Sequence, residues 1–496
     1  MSSSVELPKT QITQTDKTLS ADLQVVYPRA AKSTATHFRR GILACEILAD
    51  LLTITCAIRF GYAIYGTLNF GKHIHFSLSV IWAAGAIFST VLVLMLDRVG
   101  AYRRGNSLLR VRETEQILRV SAEALLTVLT VSFFAQILVP RLLPVFCLSF
   151  VLLFLLIQKS LLYLIVHALH SRGYGNERVL IYGAGCTGRR VFSVLRASPK
   201  LGLPPVAVVD DDLDKVGSAL FEMAYERRSS AHIIQGPVTR ELLANRGIDL
   251  VIIAIPTIDR EKFVATVEEC LAANVRVSFV PSHLMSFDAW LDYRDIDGIL
   301  LASFGKPAIR LSYEVAKRVF DIAASLLSIV LASPLFFFLA LLVKIDSKGP
   351  VFFRQERIGC DGRPFLMYKF RTMRTSASAY DYSPRESSDP RITRIGRFLR
   401  KTSLDELPQL FNVLQGHMSL VGPRPEMPFI VKEYTQRQRQ RLGVKPGLTG
   451  LWQLSGDRAF LIHENIEYDL YYIRNRNFFM DLAVILHTLI FAMRGI

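Results

Sequence analysis

The chain has 496 residues, 51% of them hydrophobic and 21% charged, with a mean hydropathy of +0.30. Soluble domains carry about 25% charged residues, so this balance excludes a disordered chain and a purely soluble enzyme, and the length allows about three domains of roughly 150 residues. A formal net charge of +16 and a pI near 9.6 call for an anionic partner such as nucleic acid, a phosphorylated metabolite or lipid headgroups.

Residues 1–36 are rich in Ser, Thr, Gln and Lys without apolar periodicity and read as a flexible cytoplasmic tail. A polar tail ahead of the first apolar run does not fit a signal peptide. Apolar segments near 41–65, 75–96, 117–139 and 144–168 are each long enough to cross a hydrocarbon layer of about 30 Å. Residues 37–172 are therefore expected to form a four-helix transmembrane bundle. Arg98, Arg103, Arg104, Arg110 and Arg112 lie between the second and third segments, against only Lys72 and Arg141 in the outer loops. The positive-inside rule then places both ends of the bundle in the cytoplasm. Glu46, Asp50 and Arg59 fall in the first segment. The two acids are expected near the cytoplasmic interface, with Arg59 snorkelling or paired inside. The six cysteines, Cys45, Cys56, Cys147, Cys186, Cys270 and Cys360, form no CxxC pair and no Cys/His cluster, so neither a disulfide framework nor a zinc site is indicated.

Over 173–305 short β-rich runs at 179–182, 206–210, 232–234, 250–255 and 275–280 alternate with polar helical stretches, the pattern of βαβ units on a mainly parallel sheet. Gly183, Gly185 and Gly188 spell GxGxxG directly after the first strand, and Asp210 ends the second. That context predicts a Rossmann-like α/β cytoplasmic domain and makes these four residues candidates for nucleotide binding. Arg189 and Arg190 follow the third glycine, where a phosphate could sit.

A fifth apolar run, 321–343, contains Ser333-Pro334 near its middle and is basic on both sides, with Lys317 and Arg318 before it and Lys344, Lys348, Arg354 and Arg357 after it. Proline removes an amide donor and clashes with the preceding turn, so a sharp bend is expected there. Symmetric charge suits a helix that dips into one leaflet near 317–345 and returns. The alternative is a kinked fifth span, which would place everything beyond it outside the cell.

Between Arg354 and Lys401 many Lys and Arg residues are interleaved with Phe and Tyr. That is a nucleic-acid footprint in general, but next to a membrane element it also suits anionic headgroups. The run 478–493 is apolar but short, and is expected to lie on protein or in the interface. The sharpest local signal is Thr402-Ser403-Leu404-Asp405-Glu406-Leu407-Pro408-Gln409-Leu410. A helix is expected to start here and run to Gln415-Gly416. Ser403 and Glu406 could simply be a capping box. In the functional reading the positive helix end lowers the pKa of Asp405 and welcomes a phosphate, and acids amid Arg391, Arg394, Arg397, Arg400 and Lys401 suit magnesium-assisted phosphoryl transfer. Arg424, held in Gly422-Pro423-Arg424-Pro425, would present a stiff guanidinium to a phosphate.

These motifs resemble the polyisoprenyl-phosphate hexose-1-phosphate transferases, or bacterial sugar transferases. The resemblance covers about 313–496 and is carried by Lys317-Arg318-x-x-Asp321-x-x-x-Ser325, Ser333-Pro334, Gly349-Pro350-Val351-Phe352, Lys369-Phe370-Arg371-Thr372-Met373, the Thr402 to Leu410 run, Gly422 to Pro425, and Lys445 to Gln453. The architecture before it resembles the long form that primes exopolysaccharide synthesis. The resemblance implies a mainly α-helical catalytic domain over 306–496 with a re-entrant membrane helix broken at Ser333 and Pro334. It implies transfer of a sugar 1-phosphate from a UDP-sugar to undecaprenyl phosphate with release of UMP, at the cytoplasmic face of the bacterial inner membrane, among inner-leaflet lipids. Asp405 would be the nucleophile that forms an aspartyl phosphosugar, and Glu406 would hold Mg²⁺. Lys369, Arg371, Arg400, Arg424 and Arg458 would contact phosphates. Glucose is the expected hexose, with galactose next, and a homodimer is compatible with the family. One departure is Ser455-Gly456-Asp457-Arg458, where an acid separates the usual Gly-Arg pair.

Three other readings compete. A membrane-tethered nucleotide-sugar dehydratase or short-chain dehydrogenase would pair the glycine loop with Tyr313-x-x-x-Lys317. A non-enzymatic scaffold would use its acids only as helix caps, and a nucleic-acid binder would use the basic stretch.

Overall fold

The computed structural model describes residues 32–68, 76–102, 110–134, 140, 142–197, 201–217, 233–255, 257–280, 290–296, 299–305, 311–374, 389–454 and 466–493. Lys72, Arg103, Arg104, Arg141 and Arg458 lie outside them, as do residues 1–31 of the expected tail. The chain divides into two compact units, 1–94 with 128–287, and 95–127 with 288–496. Among the described residues five helices are long and apolar enough to cross a membrane by length and composition. Four come first: α1 (Lys32–Thr67), α2 (Leu78–Arg98), α3 (Arg110–Phe134) and α4 (Leu142–Ser171). Because α1 already begins at Lys32, the polar tail ends before residue 36.

In the first unit α1 and α4 run antiparallel. Phe60 meets Phe150 edge-on at 4.9 Å, Tyr65 lies 5.9 Å from Phe146, and Gly61 packs on the backbone of Cys147, where any side chain would collide. Lys159 Nζ reaches Glu46 Oε1 at 2.8 Å and Asp50 Oδ2 at 2.7 Å. A buried ammonium between two acids satisfies charges that would otherwise be costly in an apolar setting, and Lys159 is the partner that inspection of the first segment alone overlooks.

The same unit carries a five-stranded parallel sheet in the order β3-β2-β1-β4-β5. Its elements are β1 (Val179–Tyr182), α5 (Cys186–Ala197), β2 (Pro205–Asp210), β3 (Ile233–Gln235), α6 (Arg240–Arg246), β4 (Leu250–Ile253), α7 (Arg260–Ala272) and β5 (Arg276–Phe279). Every residue of β1 and β2 is buried, as a strand covered on both faces requires. Leu180, Tyr182, Val209 and Val251 pack on one face with Leu243 and Cys270, while Val179, Ile181 and Val208 pack on the other with Phe192 and Leu195.

The second unit opens with the antiparallel pair β6 (Trp290–Ile296) and β7 (Ile299–Gly305), so the compact boundary falls ahead of residue 305. Then come α8 (Leu311–Asp346), the hairpin β8 (Phe352–Ile358) and β9 (Pro364–Phe370), α9 (Arg394–Lys401), α10 (Gln409–Gln415), β10 (Ser419–Val421), β11 (Gly447–Thr449), α11 (Ile466–Asn475) and α12 (Phe478–Met493). The start of α3 belongs here as well. Val111 and Leu118 pack with Val421, Tyr468, Met480 and Val484, and Thr114 Oγ1 lies 2.9 Å from His487 Nε2. That packing explains why the third helix begins at Arg110 rather than near 117.

Helix α8 runs through Pro334 without leaving the α-helical assignment, so a bend there is a kink within the helix. Pro334 has no N–H for the Val330 carbonyl, and Ser333 Oγ donates to that same oxygen at 2.8 Å, so the lost hydrogen bond is replaced locally. Residues 326–338 include none that is buried, whereas Lys317, Asp321 and Ser325 on one side and Leu339 and Val343 on the other are buried. Arg318 donates to the Val413 and Leu414 carbonyls at 2.7 and 2.9 Å, and Asp346 accepts from the Ile395 amide at 3.0 Å. Both ends of α8 are thus bound to elements of the second unit.

Candidate active site

Backbone geometry builds the acidic turn. Ser403 adopts φ +55°, and Leu404–Glu406 form a 3-10 turn behind it. Helix α10 starts only at Gln409 and stops at Gly416, which takes the left-handed conformation at φ +85° that glycine reaches without penalty. The capping box does not form: Ser403 makes no side-chain cap. The carboxylate of Glu406 instead accepts from Lys369 Nζ at 2.7 Å and Arg424 Nη2 at 3.1 Å, both on Oε1.

Helix α10 is held on β9 by Asn412, which is fully buried. Its Oδ1 accepts from the Tyr368 amide at 3.0 Å and its Nδ2 donates to the Leu366 carbonyl at 2.7 Å. One side chain thereby supplies the partners that a neighbouring strand would, and it sets Lys369 opposite the acidic turn. On the other side, Gly422, Gly447 and Gly450 let two loops touch backbone to backbone, with no room for a Cβ at any of the three. That contact presents Arg424, whose carbonyl accepts from buried Arg441 at 3.1 Å. Arg441 Nε in turn pairs with Asp469 at 2.7 Å.

Asp405 is 8% exposed. Burial raises its pKa, the Glu406 charge adds to this, and Lys369, Arg400 and Arg424 oppose it without reversing the direction. The expectation that a helix end lowers it is therefore corrected: Asp405 lies in the turn ahead of α10, and desolvation dominates. Glu406 goes the other way. Burial alone would raise it, but the charges and hydrogen bonds of Lys369 and Arg424 together hold it down to about 2. Two adjacent carboxylates are thus pushed apart in proton affinity. Arg400 Nε donates to Thr372 Oγ1 at 3.0 Å, and its charge is felt by Asp405. Arg357 also belongs to this cluster: burial and the nearby Arg424 charge pull it down to about 10, against the opposing charges of Glu426 and Glu406.

The structure therefore gathers Asp405, Glu406, Lys369, Arg400 and Arg424, as expected from their motifs. It places Arg371 differently. The Arg371 guanidinium is buried and its Nη2 donates to the Ser347 carbonyl at 2.6 Å and Ser347 Oγ at 2.9 Å, fastening the end of β9 to the exit of α8. Arg458 is outside the described residues. Among the described residues no group of three or more His, Cys, Asp or Glu side chains is arranged to hold a metal ion. Magnesium is usually held by one or two carboxylates plus substrate phosphates and water. Glu406 fits that pattern, since both its cations engage Oε1 and neither engages Oε2.

The glycine loop of the first unit is also assembled. Gly183 has φ +110°, and a Cβ on Gly188 would overlap the Gly183 carbonyl, so both glycines serve the tight turn. Asp210 turns into this loop, accepting from the Ala184 amide at 2.7 Å and the Asp212 amide at 2.9 Å, while Gly185 faces open space. Tyr313 and Lys317, the pair a dehydrogenase would need, both bond Asp481 Oδ2, at 2.8 and 2.9 Å. They serve as a buried tie between α8 and α12.

Two family models match the chain. A family model described as bacterial sugar transferase matches residues 312–495, and one described as a CoA-binding domain matches 97–281. The UDP-glucose:undecaprenyl-phosphate glucose-1-phosphate transferase of Klebsiella pneumoniae is 34% identical over 326 residues, 64% of this chain and 68% of that protein. The undecaprenyl-phosphate galactose phosphotransferase of Salmonella typhimurium is 31% identical over 367 residues, 69% of this chain and 73% of that protein. The exopolysaccharide production protein PSS of Rhizobium leguminosarum bv. phaseoli is 43% identical over 188 residues, only 36% of this chain but 94% of its own length.

Proposed function

The chain belongs to the bacterial sugar transferase family, and from that premise we propose that it transfers a hexose 1-phosphate from a UDP-sugar to undecaprenyl phosphate, releasing UMP. The observation that carries this reading is the buried Asp405 beside Glu406, ringed by Lys369, Arg400 and Arg424. A phosphoryl transfer needs little covalent machinery beyond positioning and charge neutralisation, and this cluster offers both.

Asp405 attacks the sugar-bearing phosphorus. Its carboxylate oxygen forms the new bond, the bond from that phosphorus to the bridging oxygen breaks, and UMP departs with the oxygen. An oxygen of undecaprenyl phosphate then attacks the same phosphorus and displaces Asp405, leaving the lipid diphosphosugar. Lys369, Arg400 and Arg424 neutralise the charge that moves between phosphates. Glu406 is the residue that would hold Mg²⁺, which when bound supplies further neutralisation of phosphate oxygens. One diphosphate linkage replaces another, so no separate energy source is required. Glucose is the proposed hexose and exopolysaccharide initiation the proposed role; the relatives carry both glucose and galactose in their names.

The acceptor phosphate lies at headgroup level, so the site must lie there too. We read α8 as re-entrant, kinked at Pro334 so that it enters and leaves one leaflet, with the catalytic unit on the cytoplasmic side. What supports this is that Arg318 at one end and Asp346 at the other both bond elements of the catalytic unit, while residues 326–338 between them offer only unburied side chains. The first unit is read as Rossmann-like from its strand order, and its Asp210 is engaged by the backbone amides of Ala184 and Asp212. The deciding experiment is UMP release by membranes supplied with undecaprenyl phosphate and a panel of UDP-sugars. Asp405→Asn should abolish release and Glu406→Gln should impair it severely. Full activity of the Asn variant would exclude the nucleophile.

A further inference from the structure

Lys369 and Thr372 sit in one short motif and act on different charged groups. Lys369 bonds Glu406, whereas Thr372 bonds Arg400. Thr372 is 7% exposed, and its backbone is pinned against the residues that lead into α9. Its carbonyl accepts from the Thr393 amide at 3.0 Å, Met373 bridges Ile392, and the Arg374 amide donates to the Arg391 carbonyl at 2.9 Å. Thr393 caps α9, its Oγ1 accepting from the Gly396 amide at 2.9 Å. A Cβ on Gly396 would overlap the Thr372 carbonyl, so only glycine lets α9 come this close. The Thr372 backbone is thus fixed against the first turn of α9, and its hydroxyl reaches the last, where Oγ1 accepts from Arg400 Nε at 3.0 Å.

A guanidinium presents its N–H donors in one rigid plane. Holding Arg400 by Nε orients that plane and leaves Nη1 and Nη2 as a two-pronged fork. Among the described residues neither terminal nitrogen makes a hydrogen bond or an ion pair. Two acids make their charge felt at Arg400. One of them, Asp389, gives both oxygens to Arg391, at 3.0 and 2.8 Å. The other is Asp405. The turn that carries it hangs on Arg400 as well, because the Ser403 amide donates to the Arg400 carbonyl at 3.2 Å just ahead of Leu404–Glu406. One residue therefore supports the nucleophile with its backbone and offers a fork with its side chain. Such a fork matches two oxygens of a phosphoryl group.

We propose that Thr372 is the positioning residue for Arg400: its hydroxyl sets the guanidinium plane so that Nη1 and Nη2 meet two oxygens of the phosphoryl group that Asp405 attacks. This rests on the transferase reading above. Thr372 acts through Arg400 and makes no contact with the phosphoryl group itself. A donor fixed before the reaction needs no reordering during it, which is where the rate advantage lies.

The test uses the full-length protein in nanodiscs and reads UMP release. Thr372→Val, which keeps the shape and removes the hydroxyl, should lower kcat/KM for the UDP-sugar about tenfold, the scale of one hydrogen bond to a charged donor. Thr372→Ser, which keeps the hydroxyl, should recover most of that loss. The same change is then made in an Arg400→Lys background, where a compact ammonium has no plane to orient. There Thr372→Val should cost less than about twofold further. An unchanged rate in Thr372→Val would overturn the proposal, as would a loss that Ser does not recover. A loss of equal size in both backgrounds would also overturn it, since Thr372 would then act on the fold and not through Arg400. If Val lowers the unfolding temperature, Thr372→Ala adds no bulk at the α9 contact and carries the same comparison. Should the wild-type protein release no UMP from any UDP-sugar, the transferase reading itself fails, and binding of UDP decides the placement alone. Binding weakened by Val and restored by Ser would uphold it; equal binding by all three proteins would remove it.

Discussion

Asp481 shows how one buried residue settles a choice between enzymes. It is 2% exposed, its Oδ2 accepts from Tyr313 and Lys317, and its Oδ1 accepts from Tyr472 at 2.7 Å. Three donors occupy one carboxylate, so the Tyr-x-x-x-Lys spacing that could have been read as a dehydrogenase pair is structural. Tyr313→Phe should cost about 0.5–1.5 kcal/mol of stability, one hydrogen bond, and leave UMP release within threefold of wild type; loss of all release from a variant that stays folded would give Tyr313 a part in the reaction. Lys317→Met should be far more damaging. It leaves Asp481 buried without its cation, a change worth about 3–5 kcal/mol, read as a lower unfolding temperature in detergent. The same scale explains what could be foreseen at the site. Asp405, Glu406, Lys369 and Arg424 sit in short motifs whose residue types announce phosphate chemistry. Arg357 sits on a strand among ordinary basic residues, and only the bridge of its neighbour Ile358 to Glu426 brings it toward Arg424 and Glu426. Arg371 misleads for the opposite reason: its motif neighbour Lys369 bonds Glu406, but its own guanidinium turns back to Ser347.

Elements were legible where a period or a punctuating residue marked them. The five parallel strands follow the apolar runs between turn residues, and Gly416 ends α10 as a left-handed glycine should. The start of α3 was not legible, because Arg110 to Gln116 look like loop until Val421, Tyr468 and Met480 provide a surface for Val111 and Leu118. The join of α10 to β9 was equally hidden, since it depends on one amide side chain reaching across 46 residues of sequence to the Leu366 carbonyl. Asn412→Leu should leave the Tyr368 amide and the Leu366 carbonyl buried without partners, at about 1–3 kcal/mol each. Activity should fall along with stability, because Lys369 and the acidic turn would no longer be held in register; a stable variant with wild-type kcat would show that this tie does not position the site. For α8, the proline alone did not reveal that Ser333 would replace the missing donor. Single cysteines at Ser312 and Lys348, both exposed, test its path in a background without other reactive thiols. Both should escape membrane-impermeant thiol reagents in intact cells. Labelling at 348 but not at 312 would mean that α8 crosses the bilayer.

At the scale of the whole molecule the question is how much of the chain the chemistry needs. Every residue placed around Asp405 lies beyond position 350, and the Rhizobium leguminosarum relative consists almost wholly of the matching region. A fragment covering 306–496 should therefore retain UMP release. It should not retain full stability. Residues 95–127 belong to the same compact unit, and removing them uncovers the surface where Val111 and Leu118 pack on Tyr468, Met480 and Val484. It also takes away Glu115, which accepts from Asn477 Nδ2 at 2.9 Å, and Thr114, which meets His487. Two apolar side chains at about 1.5–3 kcal/mol each suffice to lower the unfolding temperature measurably. Supplying residues 95–127 as a separate peptide should raise that temperature again and leave KM for both substrates unchanged. A fragment that folds, binds membranes and yet releases no UMP would place part of the catalytic machinery in the N-terminal half. A fragment as stable as the full chain would mean that α3 rests on the catalytic unit without supporting it.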